Sequence, residues 1–166
     1  MFAQIQKIDR SLATIERWLV IALTSGIACI MTTQVFMRYF LSAPLFWAEE
    51  ISVQLLVFAT LFGLSLLVHH SQLVSIDFLP QALPERMRHL LLALAGVVMM
   101  GLFAFLCWLG VEWVSRPDVR MELGATTQLP RWYNYSVLPA AMATMTLHQF
   151  AAVLRETRAA FTGAAR

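Results

Sequence analysis

Charge is scarce in this chain. Of its 166 residues, 12 are Lys or Arg and 10 are Asp or Glu, so 13% are charged against 59% hydrophobic. Soluble globular domains carry about a quarter charged residues. The shortage therefore excludes an ordinary water-facing surface and points to a different solvent. Cysteine is nearly missing too. Cys29 and Cys107 both sit inside apolar runs, which excludes a disulfide framework and a cysteine zinc motif and leaves two small buried hydrophobes. No Gly-rich loop ends in Lys-Ser or Lys-Thr, and neither Gly-x-Ser-x-Gly nor a zinc-protease helix signature is present. The chain thus brings no P-loop for ATP and no such hydrolytic centre. The net charge is only +2 and the basic residues are scattered, unlike a nucleic-acid footprint. An integral membrane protein is expected, not a soluble enzyme, with no catalytic, cofactor-binding or metal residues of its own.

What is abundant is long apolar sequence. Four runs stand out, about Trp18 to Met37, Ile51 to Val68, Leu90 to Val111 and Trp132 to Leu154. About 20 helical residues cover a hydrocarbon core roughly 30 Å thick. Only helices or closed barrels satisfy every backbone group in lipid, and alternating barrel strands are absent from the pattern. The expected fold is an all-α membrane protein, one membrane domain over 1–166, with four transmembrane helices at about 18–37, 44–68, 90–111 and 132–154.

Residues 2–17 carry a second pattern. Phe2, Ile5, Ile8, Leu12, Ile15 and Leu19 recur at steps of three or four, on one face of a helix, with polar residues opposite. The pattern predicts an amphipathic interfacial helix, its apolar side dipping into the membrane surface while Lys7 and Arg10 meet head groups. The alternative is a plain extension of the first span. Lys7, Asp9, Arg10, Glu16 and Arg17 break any signal-peptide core, so this segment is expected to be retained. Basic residues set the orientation. The two tails and the second connection hold eight Lys and Arg, and the first and third connections hold four. The positive-inside rule then puts both termini in the cytoplasm. The second connection, Ser71 to His89, reads as a short interfacial segment, and the third, about Glu112 to Arg131, as the largest aqueous piece.

Ionisable residues inside a membrane usually mark function because each is costly there. The apolar stretches of spans one and three hold none, which argues against a carrier built around a central acid. The charged cluster to weigh is Arg38-Tyr39 followed by Trp47-Ala48-Glu49-Glu50. Arg38 complements the negative end of the first helix dipole, and the two acids complement the positive end of the second. Either an Arg38-to-Glu ion pair closes the hairpin, or a carboxylate is left for a basic residue of a partner subunit. Trp47 and Tyr39 suit the interfacial aromatic belt. His69, His70, His89 and His148 all fall toward one side. Four-helix anchors can hold haem between imidazoles, but terminal histidines commonly just reach water or head groups. Gly96, Gly101 and Gly110 allow close helix approach, and Pro139 is expected to bend the fourth span.

At Arg38-Tyr39, Pro44 and Trp47-Ala48-Glu49-Glu50 the chain resembles the small membrane subunit of TRAP transporters (tripartite ATP-independent periplasmic transporters). The likeness continues through Gly63, Asp77 in Ile76-Asp77-Phe78-Leu79, Leu83-Pro84 with Arg86 and Arg88, and Leu129-Pro130-Arg131-Trp132 with Tyr135 and Pro139. It covers roughly residues 30 to 150. Where the family often has a His shortly before the Ile-Asp pair, this chain has Leu73, so no role is carried over to that position.

The resemblance implies a non-catalytic, multi-pass subunit of a bacterial inner membrane, without cofactor and without nucleic acid. It implies two partners besides the lipid bilayer: a large multi-span TRAP subunit and a periplasmic substrate-binding protein. In that family the soluble protein captures an organic anion, commonly a carboxylate, and the large subunit moves it inward on the sodium gradient. The small subunit braces the large one and helps dock the binding protein. The residues expected to hold the hairpin and the subunit contact are Arg38, Tyr39, Trp47, Glu49, Glu50 and Asp77. Arg116, Asp118, Arg120 and Glu122 are the candidates for binding-protein contact. Two competing readings are a haem- or quinone-binding anchor of an oxidoreductase and a small self-sufficient carrier or channel.

Overall fold

The structure, a computed structural model, describes residues 2–71 and 84–162. Its described elements are helices α1 (Phe2–Phe40), α2 (Phe46–His69), α3 (Glu85–Ser115), α4 (Pro117–Met121) and α5 (Trp132–Thr162). Four of them, α1, α2, α3 and α5, are long and apolar enough to cross a membrane. Asp77 and Leu73, and most of the second connection, lie outside the described residues.

Helix ends follow local chemistry. After α1, Leu41 and Ala43 both donate backbone N–H groups to the Met37 carbonyl, and Ser42 takes a left-handed φ of 51° before Pro44. Arg38 sits in that last turn, and Glu49 in the first turn of α2, as dipole compensation predicts. α3 stops where Arg116 turns extended ahead of Pro117, because a residue preceding proline avoids helical backbone. Pro117 then starts α4, where its missing N–H costs nothing.

α1 runs unbroken for 39 residues, about 58 Å at 1.5 Å per residue, so the amino-terminal segment is continuous with the first span. Its apolar stripe faces outward and two of its acids face inward. Ile8 and Ile15 are 62% and 64% exposed, while Asp9 and Glu16 are 5% and 2% exposed. Neighbouring helices receive the acids.

Packing runs in a row. α1 lies against α2, α2 against α5 and α5 against α3, with α1 crossing to touch α5. Among the described residues α3 makes no comparable helix contact with α1 or α2. The seams are lined by small residues, including Ala48, Ser52, Ser65, Ala93, Ala141 and Ala151, as expected where lipid supplies no hydrophobic drive and backbones must approach for dispersion to act. Gly96 faces Val153 and Gln149, and Gly110 faces the Pro139 ring. Gly101 faces open space and plays no such part. A compact cluster of Val68, Phe103, Met142 and Met145 ties the middle. The broad sides of the row keep large apolar groups outward, Phe36, Leu56, Leu94, Val98 and Phe105 among them.

Candidate functional site

Two polar clasps stand at opposite ends of the helices. The first lies at the α1–α2 turn. Glu50 sits one turn into α2, beneath the loop that follows α4. That loop is closed on itself by a bridge between Leu123 and Pro130: Gly124 donates to the Leu129 carbonyl and Arg131 to the Glu122 carbonyl, both at 2.8 Å. Its tip then delivers three donors to one carboxylate. Thr126 N–H reaches Glu50 Oε2 at 2.7 Å, Thr127 N–H reaches it at 3.0 Å, and the Thr127 hydroxyl reaches Oε1 at 3.0 Å. Gly124 is required here because a Cβ would run into Glu50.

Among the described residues no ion pair joins Arg38 to Glu49 or Glu50. Glu50 is engaged by the loop instead. Glu49 is exposed and accepts one hydrogen bond, from Gln34 Nε2 at 3.2 Å. Arg38, Tyr39 and Trp47 are exposed around it. Of the loop candidates, Arg116 stacks over the Trp113 ring at 5.3 Å and Glu122 accepts from the Tyr135 hydroxyl at 2.9 Å. Asp118 and Arg120 point outward from α4.

The second clasp was missed. Asp9 and Glu16 are seven residues apart, two turns, so they share one face of α1. The His148 imidazole of α5 fits between them, with Nδ1 2.6 Å from Asp9 Oδ1 and Nε2 3.0 Å from Glu16 Oε2. Ser65 of α2 donates to the other Glu16 oxygen at 2.8 Å and lies 3.0 Å from the Thr144 hydroxyl. The second Asp9 oxygen lies 3.2 Å from His69 Nδ1 and 3.5 Å from Arg155. The His69 contact is at ion-pair distance but lacks hydrogen-bond alignment, so that nitrogen is buried without a hydrogen-bond partner. His148 is 1% exposed, so it does not reach water or head groups, and both its nitrogens face carboxylates rather than an open axial position. His89, by contrast, pairs with Glu156 at 2.7 Å. The signal that could have revealed this clasp is the Asp9–Glu16 step of two turns on a membrane helix.

These features define a class first: a polytopic membrane subunit whose helices form an open row and whose polar groups are largely occupied in holding helices and a loop together. Residues 27–159 match the sequence profile of the family described as tripartite ATP-independent periplasmic transporters, DctQ component. The chain belongs to that family, as a small permease subunit and a multi-pass inner-membrane protein. It is 27% identical over 147 residues to the sialic acid TRAP transporter small permease protein SiaQ of Vibrio cholerae, covering 88% of this chain and 83% of that one. It is also 35% identical over 74 residues to the sialic acid TRAP transporter permease protein SiaT of Haemophilus influenzae, covering 45% of this chain and 12% of that one. The profile match begins after Asp9 and Glu16 and includes His69 and His148.

Proposed function

We propose that this chain braces the large transport subunit of a sodium-driven, binding-protein-dependent TRAP transporter and helps dock the periplasmic binding protein. The observation that carries the reading is the open row of helices. A row with outward apolar sides offers a broad flank for another membrane subunit. A carrier that slides one domain across the bilayer needs a part that stays still, and added spans enlarge that part and resist its tilting. A permease as a partner is supported by the likeness to a short stretch of SiaT. The proposed substrate is an organic anion of the carboxylate class, after the sialic acid transporters to which both relatives belong by name.

In this reading both termini are cytoplasmic, and the loop held by Glu50 faces the periplasm. Arg38, Tyr39, Trp47 and Glu49 then surround the hairpin tip as the contact to the large subunit. Glu49 carries the charge available for a partner cation. Asp77 belongs to the same interface through the family resemblance alone. Arg116, Asp118, Arg120 and Glu122 line the outer edge toward the binding protein.

The test is uptake in proteoliposomes of a labelled organic anion by permease, binding protein and this chain together. Uptake should require all three and an inward sodium gradient. Equal uptake with this chain left out would remove the bracing role, and uptake by this chain alone would favour the self-sufficient carrier.

A further inference from the structure

We propose that Asp9, His69 and His148 form a binding site for a divalent transition metal of the zinc class, joining α1, α2 and α5. Each residue offers one ligand atom, and the three atoms lie within 4.8 Å of one another. Two imidazoles and one carboxylate are a donor set suited to zinc, cobalt or nickel, whereas calcium and magnesium prefer all-oxygen sites. Zinc bonds of 2.0–2.1 Å place tetrahedral ligand atoms about 3.3 Å apart. His69 Nδ1 is already 3.2 Å from Asp9 Oδ2, and His148 Nδ1 is 2.6 Å from Asp9 Oδ1. The His148–Asp9 gap must open toward that spacing for a metal to enter.

Three further features fit a metal. Glu16 Oε2 accepts from His148 Nε2 at 3.0 Å, so Nδ1, 2.6 Å from Asp9 Oδ1, is the nitrogen a metal would take once its proton leaves. Ser65 in turn orients Glu16. This is the carboxylate–histidine support that metal-bound imidazoles commonly have. His69 Nδ1 is a buried nitrogen without a hydrogen-bond partner, directed at Asp9. The His69 side chain keeps 17% exposure, the most open of the three ligands. On binding, the hydrogen between His148 Nδ1 and Asp9 Oδ1 leaves to solvent as a proton, and the metal takes both lone pairs. Arg155, 3.5 Å from Asp9, is a neighbouring cation that the metal must displace or tolerate.

The experiment uses the full-length chain in mild detergent, purified without a polyhistidine tag and stripped with a chelator. It is titrated with Co²⁺, whose visible absorption reports tetrahedral nitrogen and oxygen ligation, and with Zn²⁺ in competition. The expected result is one equivalent bound with tetrahedral bands, displaced by Zn²⁺, and a higher melting temperature with metal. His148→Ala risks unfolding the clasp, so the deciding variant is His69→Ala, which loses the contacts to Asp9 and the His148 ring but keeps the Asp9–His148–Glu16 hydrogen bonds. It should weaken binding on the order of 100-fold, at the upper end of the 10–100-fold typical of losing a supporting group. His70→Ala, at the exposed neighbour, should leave binding unchanged. Absence of tetrahedral bands, equal affinity in His69→Ala, or a clasp whose stability responds to pH and not to Co²⁺ or Zn²⁺ would each overturn the site and leave a proton as its only cation.

Discussion

At the scale of single residues, the clasp depends on His148 answering two acids at once. Asp9 and Glu16 retain 3% and 2% side-chain exposure, and a buried charge stripped of its partner is costly. His148→Ala should therefore lower unfolding stability by about 3–5 kcal/mol, read by denaturant titration in detergent. Replacing all three together (Asp9→Leu, Glu16→Met, His148→Phe) should recover most of that loss, because a packed apolar set often matches a buried ionic one. A triple variant as unstable as the single one would show that the clasp contributes more than mutual neutralisation. At the other end, Glu50→Gln keeps the shape but loses the charge that gathers the loop donors. The Thr126 and Thr127 amides should then exchange hydrogen faster, while amides in the middle of α2 stay protected. Unchanged exchange at both would detach Glu50 from the loop.

At the scale of elements, the contact of α3 with α5 rests on two glycines and not on the third. A Cβ at position 110 would lie 3.1 Å from the Pro139 ring, which cannot turn aside, while at position 101 it would meet nothing within 4 Å. Gly110→Ala should lower the melting temperature in detergent. Gly101→Ala should hold or raise it, since alanine is favoured over glycine in a helix by about 1 kcal/mol. The reverse order would contradict the packing of these helices. Four spans were legible because length and apolarity are local properties of each run. The continuity of α1 was not, because Asp9 and Glu16 are held by partners far along the chain, above all His148, 139 and 132 residues away in sequence. Periodicity likewise gave residues 2–17 an apolar face for the membrane without showing that two acids of the polar face meet protein. In water the apolar face turns inward, and in lipid the polar face does. For the same reason the sequence weighed Glu50 against Arg38 or a partner subunit, while Glu50 meets a loop 76 residues downstream.

At the scale of the whole molecule, the open row and its apolar flanks are the features that ask for a partner. Family membership points to a transport subunit as that partner, and bracing is the role proposed for the row. Both clasps stiffen the row at its ends, one by joining three helices and the other by holding the outer loop against α2. The most direct test is to recover the tagged full-length chain from its native membrane in gentle detergent and identify its companions by mass spectrometry. The account predicts a large multi-span permease in fixed stoichiometry, with recovery reduced by Glu49→Gln. Recovery of the chain alone, or with redox subunits in place of a permease, would contradict it.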